Sequence, residues 1–176
     1  MSFEFKEDLT LYLPDVKDKI GTEFGEAATA TNKKMVVKVA AIHAGLTSNY
    51  NMYSEEELEK SINTWVQPYP KPIILNHDLH TEPVGRVMGA KMEHESDQAK
   101  TPYIALQVAI SAPSAVEKVD DGRCLTGSVG GRASEALCSI CDKDWAKASQ
   151  FSMPCKHERG KVYNGKLAYF NLKGIS

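Results

Sequence analysis

Four residues in the second half of the chain have the types and spacing to hold a metal ion. Cys138-Ser139-Ile140-Cys141 is followed, after thirteen intervening residues, by Cys155-Lys156-His157, a C-x2-C…C-x-H set. Three sulfur donors and an imidazole suit tetrahedral zinc, and the C-x2-C half is a knuckle whose two thiolates can reach one ion. Four protein ligands leave no position for a water, so the zinc would be structural and would take no part in catalysis. The competing reading takes the three cysteines as small buried hydrophobes. Cys124 stands apart, and the pattern does not suggest a disulfide scaffold.

A second set of residues has the character needed for acyl transfer. Ser128 lies in Leu125-Thr126-Gly127-Ser128-Val129-Gly130-Gly131. Glycines on both sides remove side-chain bulk and let backbone N–H groups approach a substrate carbonyl, which is how an oxyanion hole is built. Taken alone, the stretch reads more readily as a glycine-rich bulge with an incidental serine. Asn76-His77-Asp78 follows the apolar run Pro72-Ile73-Ile74-Leu75, which puts His77 at a strand end where a side chain can face a cleft. A histidine in that setting is more often structural, and His80 is its equal on composition. An open zinc site made of His77, His80 and a carboxylate is disfavoured. The pair is spaced i,i+3, is bracketed by Pro72 and Pro83, and lacks the helical H-E-x-x-H setting.

Together, His77-Asp78 with Pro83-Val84-Gly85-Arg86-Val87, and Ser128-Val129-Gly130 further on, resemble the prohead proteases of tailed phages, relatives of the herpesvirus capsid protease. The resemblance runs from about residue 35 to 170, through Asn49-Tyr50, a Glu-rich helix and Pro72, and into the cysteine knuckle, which looks like an insertion found in one branch of these enzymes. It implies that Ser128 is the nucleophile and His77 its general base, with Gly130 and Gly131 as oxyanion candidates and no cofactor in the chemistry. It implies an α+β fold, mainly an antiparallel β-barrel with peripheral helices, and a zinc-knuckle insertion at 138–157. Implied substrates are the capsid scaffold, the major capsid protein and the protease itself, cut inside the immature prohead in the host cytoplasm. Herpesvirus relatives work as dimers, so a homo-oligomer is a further expectation. The family's third catalytic residue lies on a strand after the serine, usually acidic in phages and near where this sequence stops. The expectation is a chain that continues beyond Ser176 and a 176-residue form that is weakly active. His157 is already claimed by the cluster, Asp78 and Glu82 would need an unfamiliar geometry, and the third member is unassigned.

Other elements must hold these residues in place. Residues 3–13 partly alternate apolar and polar, and residues 34–42 are β-branched and apolar, predicting two strands joined by a polar loop. Ser54 followed by Glu55, Glu56 and Glu57 starts a capped helix over 54–66, stopped by Pro68. Residues 72–76, 84–93 and 102–111 read as strands of an antiparallel sheet. A short helix is predicted over 113–120, capped near Ser111 or Ser114 and ended by Gly122, with an extended stretch over 123–131. Tyr163-Asn164-Gly165-Lys166 predicts a type I′ hairpin, and residues 171–176 read as an interrupted strand.

Bulk properties narrow the function classes. At 176 residues, 42% hydrophobic and 25% charged, the chain is sized and composed as a single globular domain with its own core. A net charge of -2 gives no electrostatic case for nucleic acid. No apolar run approaches the ~20 residues that cross a bilayer, and the acidic, alternating start does not read as a signal peptide. The alternative to a protease is a non-enzymatic, zinc-stabilised phage structural or interaction module in which Ser128 is incidental.

Overall fold

Phe3, Phe5 and Glu7 alternate with exposed Glu4 and Lys6, and this two-residue period turns one face of β1 (Phe3–Leu11) toward the core. The computed structural model describes residues 2–11, 34–75, 78, 80–94, 100–124, 126–149 and 152–176, with backbone alone for residues 8–11. The predicted loop between the first two strands, and the last two residues of the first predicted strand, lie outside the described residues.

The remaining strands are β2 (Met35–His43), β3 (Gly45–Leu46), β4 (Asn51–Tyr53), β5 (Pro72–Ile73), β6 (Gly85–Glu93), β7 (Tyr103–Ile110), β8 (Thr126–Cys138), β9 (Val162–Tyr163), β10 (Lys166–Leu167) and β11 (Phe170–Ile175). Among the described residues, nine of them form one sheet in the order β3-β4-β11-β8-β1-β2-β7-β6-β5, and β9 and β10 form a separate hairpin. The sheet pairs are antiparallel except β4 with β11, where Asn51 lies beside Phe170 in parallel. The sheet is a curled half-barrel with β3 and β5 as its edges, where the resemblance implies an antiparallel β-barrel. No pairing joins those edges among the described residues.

Helix α1 (Glu55–Ser61) packs on β11, third from one end of the order, and on β6 and β7 near the other, so the sheet curls around this helix. Leu58 is the buried anchor. Ser54 Oγ accepts from Glu57 N–H at 3.2 Å, and the three glutamates of the first turn complement the helix dipole. The α-helix is shorter than predicted. After Ser61 it tightens into a 3₁₀ turn over Ile62–Trp65, with Ser61 Oγ donating to the Leu58 carbonyl and Thr64 Oγ1 to that of Ser61, each at 2.7 Å. Helix α2 (Pro113–Asp120) begins with Pro113 and has Ala112 at its N-cap, so neither Ser111 nor Ser114 caps it. Gly122 follows it at φ +80.

One contiguous core runs from Phe5 to Ile175 through β2, β7, β8 and β11. Its closest backbone approach is at Gly85, which pairs with Ile110; a Cβ there would be driven into the Ala109 carbonyl oxygen. Among the described residues no helix is long and apolar enough to cross a membrane. Gly85→Ala is expected to destabilise the fold by about 1–3 kcal/mol, because backbone cannot yield as a side chain would. Thermal unfolding checks this, and an unchanged melt would contradict the β6–β7 register.

Candidate functional site

Cys138 closes β8 and is fully buried; Cys141 follows in a turn where Asp142 takes φ +56. Backbone bonds pin the turn: Asp142 N–H to the Cys138 carbonyl at 2.9 Å and Cys138 N–H to the Lys143 carbonyl at 3.0 Å. Ser139 ties it to the approach to β11, its Oγ donating to the Leu167 carbonyl at 3.1 Å and accepting from Tyr169 N–H at 3.0 Å. The second ligand pair returns in Cys155 and His157. All four ligand atoms of Cys138, Cys141, Cys155 and His157 lie within 4.8 Å of one another. Cys138 Sγ and His157 Nδ1 are 3.6 Å apart, about the edge of a tetrahedron with bonds of ~2.3 Å to sulfur and ~2.05 Å to nitrogen.

Neighbouring groups orient the ligands. Trp145 donates its indole N–H to Cys155 Sγ at 3.2 Å. Burial pushes the Cys155 thiol up, but the His157 backbone N–H and the Trp145 indole outweigh it and hold the thiol below its ordinary value. Cys141 is raised, by burial first. The His157 ring stands edge-on to Tyr163, with centroids 4.8 Å apart. Tyr163 enters the predicted type I′ turn, where Asn164 and Gly165 take φ values of 51 and 77. The donor set and its supporting bonds are compatible with a closed, structural metal site.

Ser128 sits near the start of β8. This strand begins at Thr126 and runs to Cys138, well past the predicted end at 131. Val129 and Glu7, paired across β8 and β1, turn inward, so Ser128, paired with Asp8, belongs to the opposite face. Gly130 is exposed. Gly131 has a packing reason to be glycine, since a Cβ would lie 2.5 Å from the Phe5 ring. His77 lies outside the described residues, with Asn76 and Leu79. Around it, β5 stops at Ile73, short of the predicted 76, and β6 opens at Gly85. Asp78 folds back on its own turn: Oδ1 accepts from His80 N–H at 2.9 Å, and its carbonyl accepts from Thr81 Oγ1 at 2.8 Å. His80 and Glu82 are exposed.

Sequence reasoning missed a buried carboxylate. Glu7 is 5% exposed. Its Oε1 accepts from Asn51 Nδ2 at 2.7 Å, Tyr53 OH at 3.0 Å and Thr47 Oγ1 at 3.2 Å, and its Oε2 from Asn49 Nδ2 at 3.0 Å. Burial first, then the Glu7 charge, push the Tyr53 phenol far above its usual range, so it remains a donor. A carboxylate buried without such partners would cost several kcal/mol. The signal was legible: Glu7 occupies the inward register of Phe3 and Phe5, and Thr47, Asn49, Asn51 and Tyr53 recur every second residue.

Comparison of the chain with protein-family models, curated proteins and solved structures finds no match in any of the three. For the cluster, the expected outcome is one tightly held metal ion per chain, released by chelator with a fall in melting temperature as the ion's share of folding energy is withdrawn. Cys155→Ser should lose the ion. A stripped chain that melts unchanged would remove the structural role.

Proposed function

We propose that this chain is a serine endopeptidase of the prohead type, in which Ser128 attacks a peptide carbonyl and His77 is its general base. The reading is carried by one conjunction: the His77-Asp78…Gly85-Arg86-Val87 segment and the Ser128-Val129-Gly130 segment that resemble those enzymes. Three structural observations are consistent with it. Ser128 belongs to the face of β8 away from the core, glycine stands on both sides of it, and the His77 segment joins the short edge strand β5 to β6.

On this reading His77 accepts the Ser128 Oγ proton as the new C–O bond forms, then returns it to the departing amine as the peptide C–N bond breaks. Water, deprotonated by the same imidazole, hydrolyses the acyl-enzyme and restores Ser128. Gly130 and Gly131 are the candidates for backbone N–H donors to the oxyanion. Substrates are capsid scaffold, major capsid protein and the chain itself, within the immature prohead. The third catalytic member is unassigned; the bonds Asp78 makes in its own turn, and the place of His157 in the cluster, argue against both.

The metal of the cluster is proposed to be zinc, which clips residues 138–157 and takes no part in the acyl transfer. A non-enzymatic, zinc-stabilised interaction module is the second reading, favoured by the completeness of the cluster without any contribution from Ser128. A serine-reactive phosphonate separates the two. On the protease reading it labels Ser128, Ser128→Ala abolishes labelling, and His77→Ala slows it by about 10²–10⁴. Absence of labelling, or labelling that survives Ser128→Ala, would leave the module reading.

A further inference from the structure

Arg159 follows the ligand His157 by two residues, yet its side chain leaves the cluster. Its guanidinium lies over the rings of Phe3 and Phe170, 5.4 and 5.2 Å from their centroids. Nη1 donates to Asn51 Oδ1 at 2.9 Å and to the Asn49 carbonyl at 3.4 Å. Asn51 uses the other end of the same amide on Glu7, Nδ2 to Oε1 at 2.7 Å. A continuous path therefore runs from His157 through Arg159 and Asn51 to Glu7, which is paired on β1 with Val129, the neighbour of Ser128.

The far end of the segment is held too. Gly160 takes φ +80, donates its N–H to the Ala168 carbonyl at 2.8 Å, and lies so close under Tyr50 that a Cβ would be 2.5 Å from the ring. Fixed at Gly160 and at a metal-held His157, the backbone leaves Arg159 little freedom. Released at His157, it does not.

We propose that Arg159 couples metal occupancy of the cysteine–histidine cluster to the Glu7 hub, so that the bound ion fixes how the β3–β4 hairpin lies on β1. The inference rests on the metal reading and is independent of Ser128's chemistry. A guanidinium suits the task because its charge lies over two aromatic rings while its Nη1 reaches the Asn51 amide oxygen. Loss of the ion frees Cys155 and His157, Arg159 drifts off Asn51, and Glu7 loses the fixed orientation of its shortest bond. The coupling is reciprocal: what loosens the hub must weaken the ion.

The test combines hydrogen exchange on zinc-loaded and chelator-stripped protein with zinc affinity measured by competition against a chromophoric chelator. Stripping the wild type should speed exchange at residues 3–7 and 47–53 as well as 138–160, leaving α2 at 113–120 protected. Arg159→Met, a change at an exposed position, should keep α2 protected, show the faster exchange at 3–7 and 47–53 even with zinc bound, and bind zinc about fivefold more weakly, at the low end for coupled sites. Arg159→Lys should behave likewise because a compact ammonium lacks the fork that lets the charge lie over the rings while Nη1 bonds Asn51 and the Asn49 carbonyl. Glu7→Gln should weaken zinc binding from the other end. Wild-type zinc affinity in Arg159→Met, or metal removal that leaves 3–7 and 47–53 untouched, would overturn the coupling. A wild type that binds no zinc would overturn it by a different route, by removing the metal reading itself.

Discussion

Strand β8 pairs with β1 from Thr126 to Ala133 and with β11 from Ala133 to Cys138, and the rest of the structure is arranged around that change of partner. Ala133 belongs to both ladders, opposite Phe3 on one side and Ile175 on the other, and it is completely buried. Just beyond it β8 and β11 shift phase together: Ser134 and Glu135 are both exposed, as are their counterparts Lys173 and Gly174. Gly174 takes φ +58, and its N–H reaches Glu57 of α1 at 2.8 Å. That bond and the Lys60 ammonium hold the Glu57 carboxyl below its ordinary value. The irregularity in the sheet is thereby tied to the helix it curls around.

The same strand carries the proposed nucleophile near one end and the first cysteine of the cluster at the other. Ser128 near its start and Cys138 at its end are ten positions apart, about 33 Å at the usual rise of a strand. A metal at the far end therefore cannot touch Ser128 and can act on it only through the framework. The framework between them is the Glu7 hub with its Arg159 contact, together with the stack in which Trp145, Phe170 and Phe3 follow one another at centroid distances of 5.1 and 5.6 Å. Such a polar hub is specific because it is fully satisfied; every donor it uses comes from the β3–β4 hairpin, which fixes that hairpin to β1.

Much of this was legible in the sequence, because local rules and tertiary context agree there. The capped start at Ser54, the strand-like runs of β2, β6 and β7 and the Asn164-Gly165 turn form as read, and the C-x2-C…C-x-H residues come together in one cluster. Elements set by distant partners were not legible. β3 and β4 are strands of two and three residues that exist because β4 lies beside β11 and Asn51 faces Glu7. β8 was read short because its second half, Arg132-Ala133-Ser134-Glu135-Ala136-Leu137, changes phase where β11 takes over from β1. Helix α1 ends early because the hydroxyls of Ser61 and Thr64 bond back to the preceding turn, a competition that spacing of Leu58, Ile62 and Trp65 does not reveal.

The central functional claim is that two segments far apart in sequence meet at one reacting centre, and the most direct measurement is the separation of Ser128 Oγ from the His77 ring in a high-resolution crystal structure. A ring nitrogen is expected within hydrogen-bond reach of Oγ, about 2.6–3.2 Å or slightly longer in the absence of substrate. Side chains of Ser128 and His77 on opposite faces of the curled sheet would contradict it.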